Sequence, residues 1–393
     1  GCVELDHKVF STRAAVGQVP SVLRRDINDE GRQQAMERAH EFADLSLVDM
    51  ARHAVDFHLR TAGPISVDGS KITSTPHGRE ELVRAAISSG EFLSIFTTSM
   101  HVEVLAGYED TADTTAGWCR ETDNENFKTN ERIGMVNSEG LTKHKRGGGA
   151  DHHTASDEKE SYKVARYSKQ VVIDEMDIID DHYGALEEFT PMEMGDAARQ
   201  LRPDLVYSIL LANANMRDGT ALFHANHGNL SASAFSASTL EAVIAKLGNV
   251  RVGSRPKNLR PRYLMVPWEL YHTSLKEVTS AERRGQSAES GVRNVLTDAG
   301  IQVVVDSRLG ATGVTDPDSG TTQTGSATNW FLSCRPGENG ARTIEVGYRR
   351  GTNRAPQIRS FVMTQGQWGI GFDVKHDIGS KALDWRAMQK GNA

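Results

Sequence analysis

The period of the apolar positions changes several times along the chain, and the changes divide it into segments. Leu47, Met50, Ala51, Ala54 and Phe57 recur at three- and four-residue spacing, which predicts a helix from Ser46 with one buried stripe. Ser46 with Asp49 three residues on resembles a capping box with Asp in the Glu position. Gly63-Pro64 and Thr75-Pro76 break the pattern behind it. Residues 1 to about 88 therefore read either as an arm laid on another surface or as a small helical subdomain. An apolar stretch follows, Phe92-Leu93-Ser94-Ile95-Phe96 and then 102–105, and marks the start of the core.

Two runs, 131–136 and 162–173, have strand character, the second with Ala165, Tyr167, Val171 and Ile173 on one face. Between them, 137–161 is almost wholly polar, with Lys143-His144-Lys145-Arg146 near one end and Asp157-Glu158 near the other. No compact domain would bury such a connector, and the pattern predicts a long hairpin. A two-stranded ribbon is marginal alone in water, so it should find a partner surface on a neighbouring copy of the chain. Thr190-Pro191, as N-cap and first helical position, open a predicted helix over 191–213, which Pro203 should kink or divide. A turn-rich stretch, 216–230, and a helix from Ser238 to about Leu247 come next.

Beyond Pro261 the pattern alternates. Strands are predicted at 263–267, 301–305 and 330–333, a helix at 268–278, and a surface loop rich in Gly, Asp and Thr at 309–328. Period-two segments at 344–348, 360–363 and 369–377 close the chain, and no repeat of solenoid period occurs.

Composition narrows the function classes. With 393 residues, 38% hydrophobic, 25% charged and only 6% aromatic, the chain can build several lobes but leaves much surface exposed or shared. A formal net charge of −7 argues against wrapping nucleic acid, so any DNA contact should be local. Cys2, Cys119 and Cys334 are far apart and form no CxxC, which writes neither a disulfide framework nor a zinc ribbon. No window approaches a membrane span, and the start has no signal-peptide pattern. Gly1-Cys2 without an initiator Met reads as the product of proteolytic maturation or as a choice of numbering.

The candidate chemistry is thin. His224 and His227, with His144, His152 and His153 elsewhere, suggest a metal site, but the His pair lacks the four-residue offset and intervening acid of zinc hydrolases. Turn-forming histidines are the better reading. No G-x-S-x-G elbow, phosphate loop or dinucleotide fingerprint is present, and Asp174, Glu175, Asp177, Asp180 and Asp181 read as a solvated strand end rather than a catalytic pair. Lys143, Lys145 and Arg146 could meet DNA or an acidic partner, yet Asp151, Asp157 and Glu158 make the local field mixed. The residues thus specify a soluble, multi-lobed α+β protein with no catalytic constellation and no cofactor, built for assembly.

Residues 183–230 resemble the Mu-like family of tailed-phage major head subunits, including those fused behind a prohead protease. The resemblance rests on Tyr183-Gly184-Ala185-Leu186, Asn213, Asp218-Gly219 and above all Ala221-Leu222-Phe223-His224-Ala225-Asn226-His227-Gly228-Asn229-Leu230. Phe96-Thr97-Thr98-Ser99, Ala106-Gly107-Tyr108, 261–267 and Trp330-Phe331-Leu332 extend it over about 90–385. It implies the Hong Kong 97-type fold: an N-terminal arm at 1–88, a peripheral domain at 89–118, 175–254 and 351–393 with a spine helix at 191–213, an extended E-loop at 119–174, and an axial domain at 255–350. It also implies hexamers and pentamers of an icosahedral shell around double-stranded DNA, found in the virion and assembled in the host cytoplasm. Lys143, Lys145, Arg146, Asp157 and Glu158 would form the tip of the E-loop, where it meets a neighbouring copy, and Gly1 the mature terminus. Implied partners are other copies of the chain, a prohead protease and scaffold, a portal, a decoration protein and packaged DNA; no membrane is implied. The rival readings are a head-associated scaffold or accessory protein and a metal-dependent hydrolase using His224 and His227.

Overall fold

The computed structural model describes residues 47–67, 69–133, 143, 146, 159–180, 185–253, 255–283, 292–363 and 368–392. In chain order the elements are α1 (Leu47–Thr61), β1 (Ile65–Val67), β2 (Ser70–Ile72), α2 (Arg79–Ser89), α3 (Glu91–Asp110), β3 (Arg120–Asn124), β4 (Asn130–Ile133), β5 (Lys159–Tyr162), β6 (Ala165–Asp174), α4 (Glu175–Asp180) and α5 (Ala185–Ala212). They continue with β7 (Leu230–Ser231), α6 (Ala237–Gly248), β8 (Arg251–Val252), β9 (Arg255–Pro256), β10 (Pro261–Val266), α7 (Trp268–Thr279), β11 (Glu282–Arg283), β12 (Val292–Arg293) and β13 (Gln302–Val305). The last are β14 (Val314–Thr315), β15 (Thr322–Gln323), β16 (Trp330–Cys334), β17 (Ile344–Arg349), β18 (Gln357–Val362), β19 (Gly369–Ala382) and β20 (Met388–Gly391). The chain divides into two compact units, one drawing on residues up to 112 with 166–200 and 351–377, the other on 113–165, 201–350 and 378–393.

The core of the first unit is helical on one side and sheet on the other. Val48, Met50, Ala51, Ala54 and Val55 of α1 pack with Leu82, Val83, Ala85 and Ala86 of α2, and this layer meets Ile173, Ile370, Phe372 and Val374. Residues 47–67 and 69–88, part of the expected arm, are therefore built into this core, because the α1 stripe finds its partner in α2; residues 1–46 lie outside the described residues. Two glycines bring α3 and α5 backbone to backbone: a Cβ on Gly195 would sit 2.1 Å from the Val104 carbonyl oxygen, and one on Gly107 2.4 Å from that of Met192.

The second unit is organised around the five-stranded sheet β13-β10-β16-β20-β7, with β10 parallel to β13 and antiparallel to β16. Leu240, Val243 and Leu247 of α6 pack with Leu264 and Val266 of β10 and Trp330 and Leu332 of β16. The boundary expected at 254, between peripheral and axial domains, consequently does not divide this core, since α6 lends its apolar stripe to the same sheet. Ser236 caps α6 in a reciprocal pair with Thr239.

Two expectations are overridden by tertiary contacts. The predicted hairpin joins 131–136 to 162–173, but β4 pairs with β5, Asn130 opposite Tyr162, while β6 pairs with β19 instead. The predicted helix begins at Pro191 and breaks at Pro203, whereas α5 starts at Ala185 and runs through both prolines. Arg202, Pro203, Leu205, Val206 and Tyr207 are all buried, and this packing outweighs the roughly 3 kcal/mol that an interior proline costs a helix.

Candidate functional site

The β4–β5 pair is the described base of the polar connector, and its attachment to the second unit is ionic. Strand β17 alternates: Val346 and Tyr348 point to one face, Glu345 and Gly347 to the other. The buried Glu345 carboxylate accepts from Arg132 Nε on β4 at 2.7 Å and from the Tyr162 hydroxyl on β5 at 2.9 Å, with Arg120 Nε at 3.7 Å. Asn124 closes the ring, donating to the Tyr162 oxygen at 3.1 Å and accepting from Arg132 Nη2 at 2.6 Å. Gly347 is what makes room, because a Cβ there would meet Asn124 Nδ2 at 2.3 Å and the Tyr162 hydroxyl at 2.5 Å.

Burial pushes the Tyr162 hydroxyl up to about 12, reinforced by the Glu345 charge, so it remains a donor at any physiological pH. Burial works against the charge of Arg132, but its hydrogen bond to Glu345 and the Glu345 charge outweigh this and hold the guanidinium above its ordinary value. On the same face of β5 as Tyr162, Glu160 accepts from the Arg217 backbone N–H at 2.8 Å and lies 3.9 Å from Lys381 Nζ. Both ribbon strands are thus tied by charge-assisted contacts, which are stronger than neutral ones and directional.

A second network lies at the start of the same unit. Arg202, buried, places Nη1 3.3 Å from Asp113 and 3.3 Å from the Tyr348 hydroxyl, and also on Glu121 of β3. Asp113 in turn caps the following turn, accepting from the Thr115 N–H at 2.8 Å. Burial opposes the Arg202 charge, yet Tyr348, Asp113 and Glu121 more than offset it, so the guanidinium stays protonated.

The 213–230 stretch is a self-bonded turn. Asn213, at φ 47°, ends α5, and its side chain exchanges two hydrogen bonds with the Phe223 backbone at 2.6 and 3.1 Å. His224 Nδ1 accepts from the Asn226 N–H at 3.1 Å, so its ring serves as the cap of a short 3-10 turn that closes on Gly228 at φ 68°. His227 Nε2 donates to Asp218 at 2.7 Å, and its ring stacks on Trp385 at 4.3 Å. Hydrogen bonds from Thr220 and His227 overcome the effect of burial and hold the Asp218 carboxyl below its usual range. Asn229, fully buried, donates to the carbonyls of Leu222 and Trp385 and accepts from the His224 N–H, while Phe223 packs on the Phe331 ring at 5.5 Å. Phe223, His227 and Asn229 therefore fasten this turn to β16 and to the segment before β20, while His224 and Gly228 shape the turn itself. Among the described residues no group of three or more His, Cys, Asp or Glu is placed to hold a metal ion, and both candidate imidazoles are engaged in turn contacts.

Of the predicted tip residues, Lys143 and Arg146 are exposed, while Lys145, Asp157, Glu158 and Gly1, like His144, His152 and His153, lie outside the described residues. Sequence reasoning found the motif turn but missed Arg132, Tyr162, Asn124 and Glu345. The available signal was Glu345 and Gly347 on one face of an otherwise apolar strand.

The architecture is that of a mixed α/β chain with a charged, latched ribbon and no reactive constellation among the described residues. No helix of the described residues is long and apolar enough to cross a membrane. No curated protein matches the sequence. Among solved structures, the capsid of the cyanophage P-SCSP1u is similar at 14% identity and a TM-score of 0.47, covering 72% of this chain and 88% of that one. A virus-like particle from Pyrococcus furiosus is similar at 11% identity and 0.45, covering 77% and 100%. The mature capsid of bacteriophage PhiM1 gives 10% and 0.45, covering 72% and 87%. The family model for phage capsid protein matches residues 157–391, from the returning ribbon strand through the motif turn to β20, more than half of the sequence. The chain belongs to the phage capsid protein family and is a structural subunit of a phage shell.

Proposed function

We propose that this chain is the major head subunit of a tailed phage, of Hong Kong 97 type and close to the Mu-like head proteins, forming hexamers and pentamers of a shell around double-stranded DNA. The observation that carries the reading is the latched ribbon base: Glu345, Arg132, Tyr162 and Asn124 fix β4 and β5 to the body and so fix where the polar connector 134–158 starts and ends. Such a connector is the E-loop of this reading, and it lies across a neighbouring copy, with Lys143, Lys145, Arg146, Asp157 and Glu158 meeting that neighbour. The five-stranded α/β sheet is the axial domain and α5 the spine. In a heterologous ring each copy offers its ribbon to the next and receives one, which closes a capsomer without any single strong contact. A prohead protease, a scaffold, a portal and a decoration protein are the partners this assembly calls for, in the host cytoplasm and then the virion.

Negative-stain electron microscopy of the chain, expressed alone and with its neighbouring genes, tests the reading. Closed shells or capsomer tubes are expected. Discrete small oligomers under both conditions would favour a head-associated scaffold or accessory factor instead. Deleting 137–158 should abolish closure while circular dichroism and thermal unfolding remain those of a folded chain; intact shells from that deletion contradict the E-loop assignment.

A further inference from the structure

Between Glu241 and Glu269 the chain carries Lys246, Arg251, Arg255, Lys257, Arg260 and Arg262 and not one carboxylate, in a protein whose formal net charge is −7. The structure gathers the middle of this run into the β8–β9 ribbon of the second unit, with Arg251 opposite Pro256 and Val252 opposite Arg255. Val252 and Leu259 are buried in the core beneath the five-stranded sheet. Asn339 donates to the Asn258 carbonyl at 2.9 Å, and Arg262 Nη1 donates to the Gly300 carbonyl at 2.6 Å. These anchors hold the ribbon so that Arg251, Arg255, Arg260 and Arg262 are exposed and Lys257 half-buried. Among the described residues, Arg255 and Arg260 have no carboxylate partner, and the adjoining turn adds an exposed Arg335 against a single acid, Glu338.

The segment's contribution to the core is Val252 and Leu259, while Arg251, Arg255 and Arg260 lie exposed outside it, where clustered like charges repel one another. The ribbon also lacks what the centre of a protein interface uses. Its apolar side chains point inward, and it exposes no aromatic or large apolar anchor. It offers donors and almost no acceptors, four of the six cations are arginines, and the guanidinium fork fits phosphate oxygens two at a time. Donors without a base-reading set suit backbone contact that ignores sequence.

We propose that the β8–β9 ribbon, through Arg251, Arg255, Lys257 and Arg260, is a docking surface for the phosphate backbone of double-stranded DNA. It rests on the reading of the chain as a shell subunit and adds which surface faces the enclosed polymer. A chain that is acidic as a whole would then avoid wrapping DNA while still touching it at one repeated point per copy.

The test uses the full-length chain before assembly, a fluorescently labelled 30-base-pair duplex, and anisotropy titrations across salt concentrations. One variant carries Arg251→Gln, Arg255→Gln, Lys257→Gln and Arg260→Gln together; a second carries Arg255→Glu and Arg260→Glu only. The original chain should bind duplexes of unrelated sequence alike, with affinity falling steeply as salt rises. The fourfold variant should bind at least about tenfold more weakly at low salt, and its salt slope should fall by up to about 3.6, about 0.9 for each lost phosphate contact. Electron microscopy of the same variants, with circular dichroism as the fold control, should show shells as abundant as before. Unchanged DNA affinity and slope in both variants overturn the proposal, as does an original chain that fails to bind DNA at low salt. Loss of shells with DNA affinity retained overturns it too, and assigns the ribbon to an acidic face of another copy. Absence of shells from the original chain would count against the shell reading alone, because the anisotropy result stands without assembly.

Discussion

The two units bury polar groups by different means. The first packs Ala51, Ala54, Ala85 and Ala86 against sheet residues, pairs two buried carboxylates, Glu175 and Asp377, each with one exposed arginine, Arg84 and Arg166, and also buries an imidazole, His376, whose neighbours include the Tyr108 ring at 5.9 Å and the Ala355 backbone. The second buries charges in sets: Glu345 with Arg132, Arg202 with Asp113 and Glu121, and Arg308 with Asp204 and Asp306. A neutral buried base is stable until protons are plentiful, whereas a buried ionic set is stable until one member is removed. The first unit should therefore be the acid-sensitive one and the second the mutation-sensitive one.

The largest effect that could break this contrast is in the second unit. Glu345→Ala strands Arg132 and Tyr162 and is expected to cost about 3 to 5 kcal/mol, read by urea denaturation, whereas Arg132→Met with Glu345→Met should cost much less. Equal losses in the two would show that packing, not charge pairing, holds the ribbon base. Next comes the first unit in acid. Burial pushes His376 down to about 4 from an ordinary 6.5, against the pull of Asp377 and with the push of Arg199. The folded form then binds a proton less readily than the unfolded one. Its full stability is present above about 6.5 and is lost as the pH falls toward about 4, by about 3 kcal/mol in all. Hydrogen exchange localised by mass spectrometry should show opening of 351–377 in that window before the second unit, and the reverse order would sink the contrast.

Two smaller effects sharpen it. Gly195→Ala forces α3 and α5 apart and should cost about 1 to 3 kcal/mol in the first unit alone, measured as a lower Tm. Tyr162→Phe should cost about 1 kcal/mol at neutral pH. A hydroxyl whose proton is held more tightly in the folded form stabilises it below the ordinary value of 10 and loses that contribution between about 10 and about 12. The Phe variant should flatten this alkaline decline in the second unit.

What was legible in the sequence follows the same division of physics. Three strands of the second unit's sheet, β10, β13 and β16, were readable because each is a short apolar run near Pro or Gly, as with 263–267 against β10 and 330–333 against β16, whereas β7 and β20 were not. The motif turn was readable because Asn213, Gly219 and Gly228 adopt positive φ, which few residue types tolerate. The course of α5 was not, because burial on both sides of Pro203 overrode a local rule. Nor was the Glu345 cluster, whose members come from 120–132, 162 and 345 and meet through the tertiary pairings of β3 with β17 and of β4 with β5. The pairing of β6 with β19 rather than β4 is the same kind of long-range choice, invisible to a period-two count.

The latch at the foot of the ribbon also bears on how this chain can change over generations. Because Arg132, Tyr162 and Glu345 fix both ends of the connector between Ile133 and Lys159, its closure cost grows only with the logarithm of its length, about 0.6 kcal/mol for each doubling. Sequence change between the two strands thus leaves the latch's own contacts in place, so that body and connector can diverge separately.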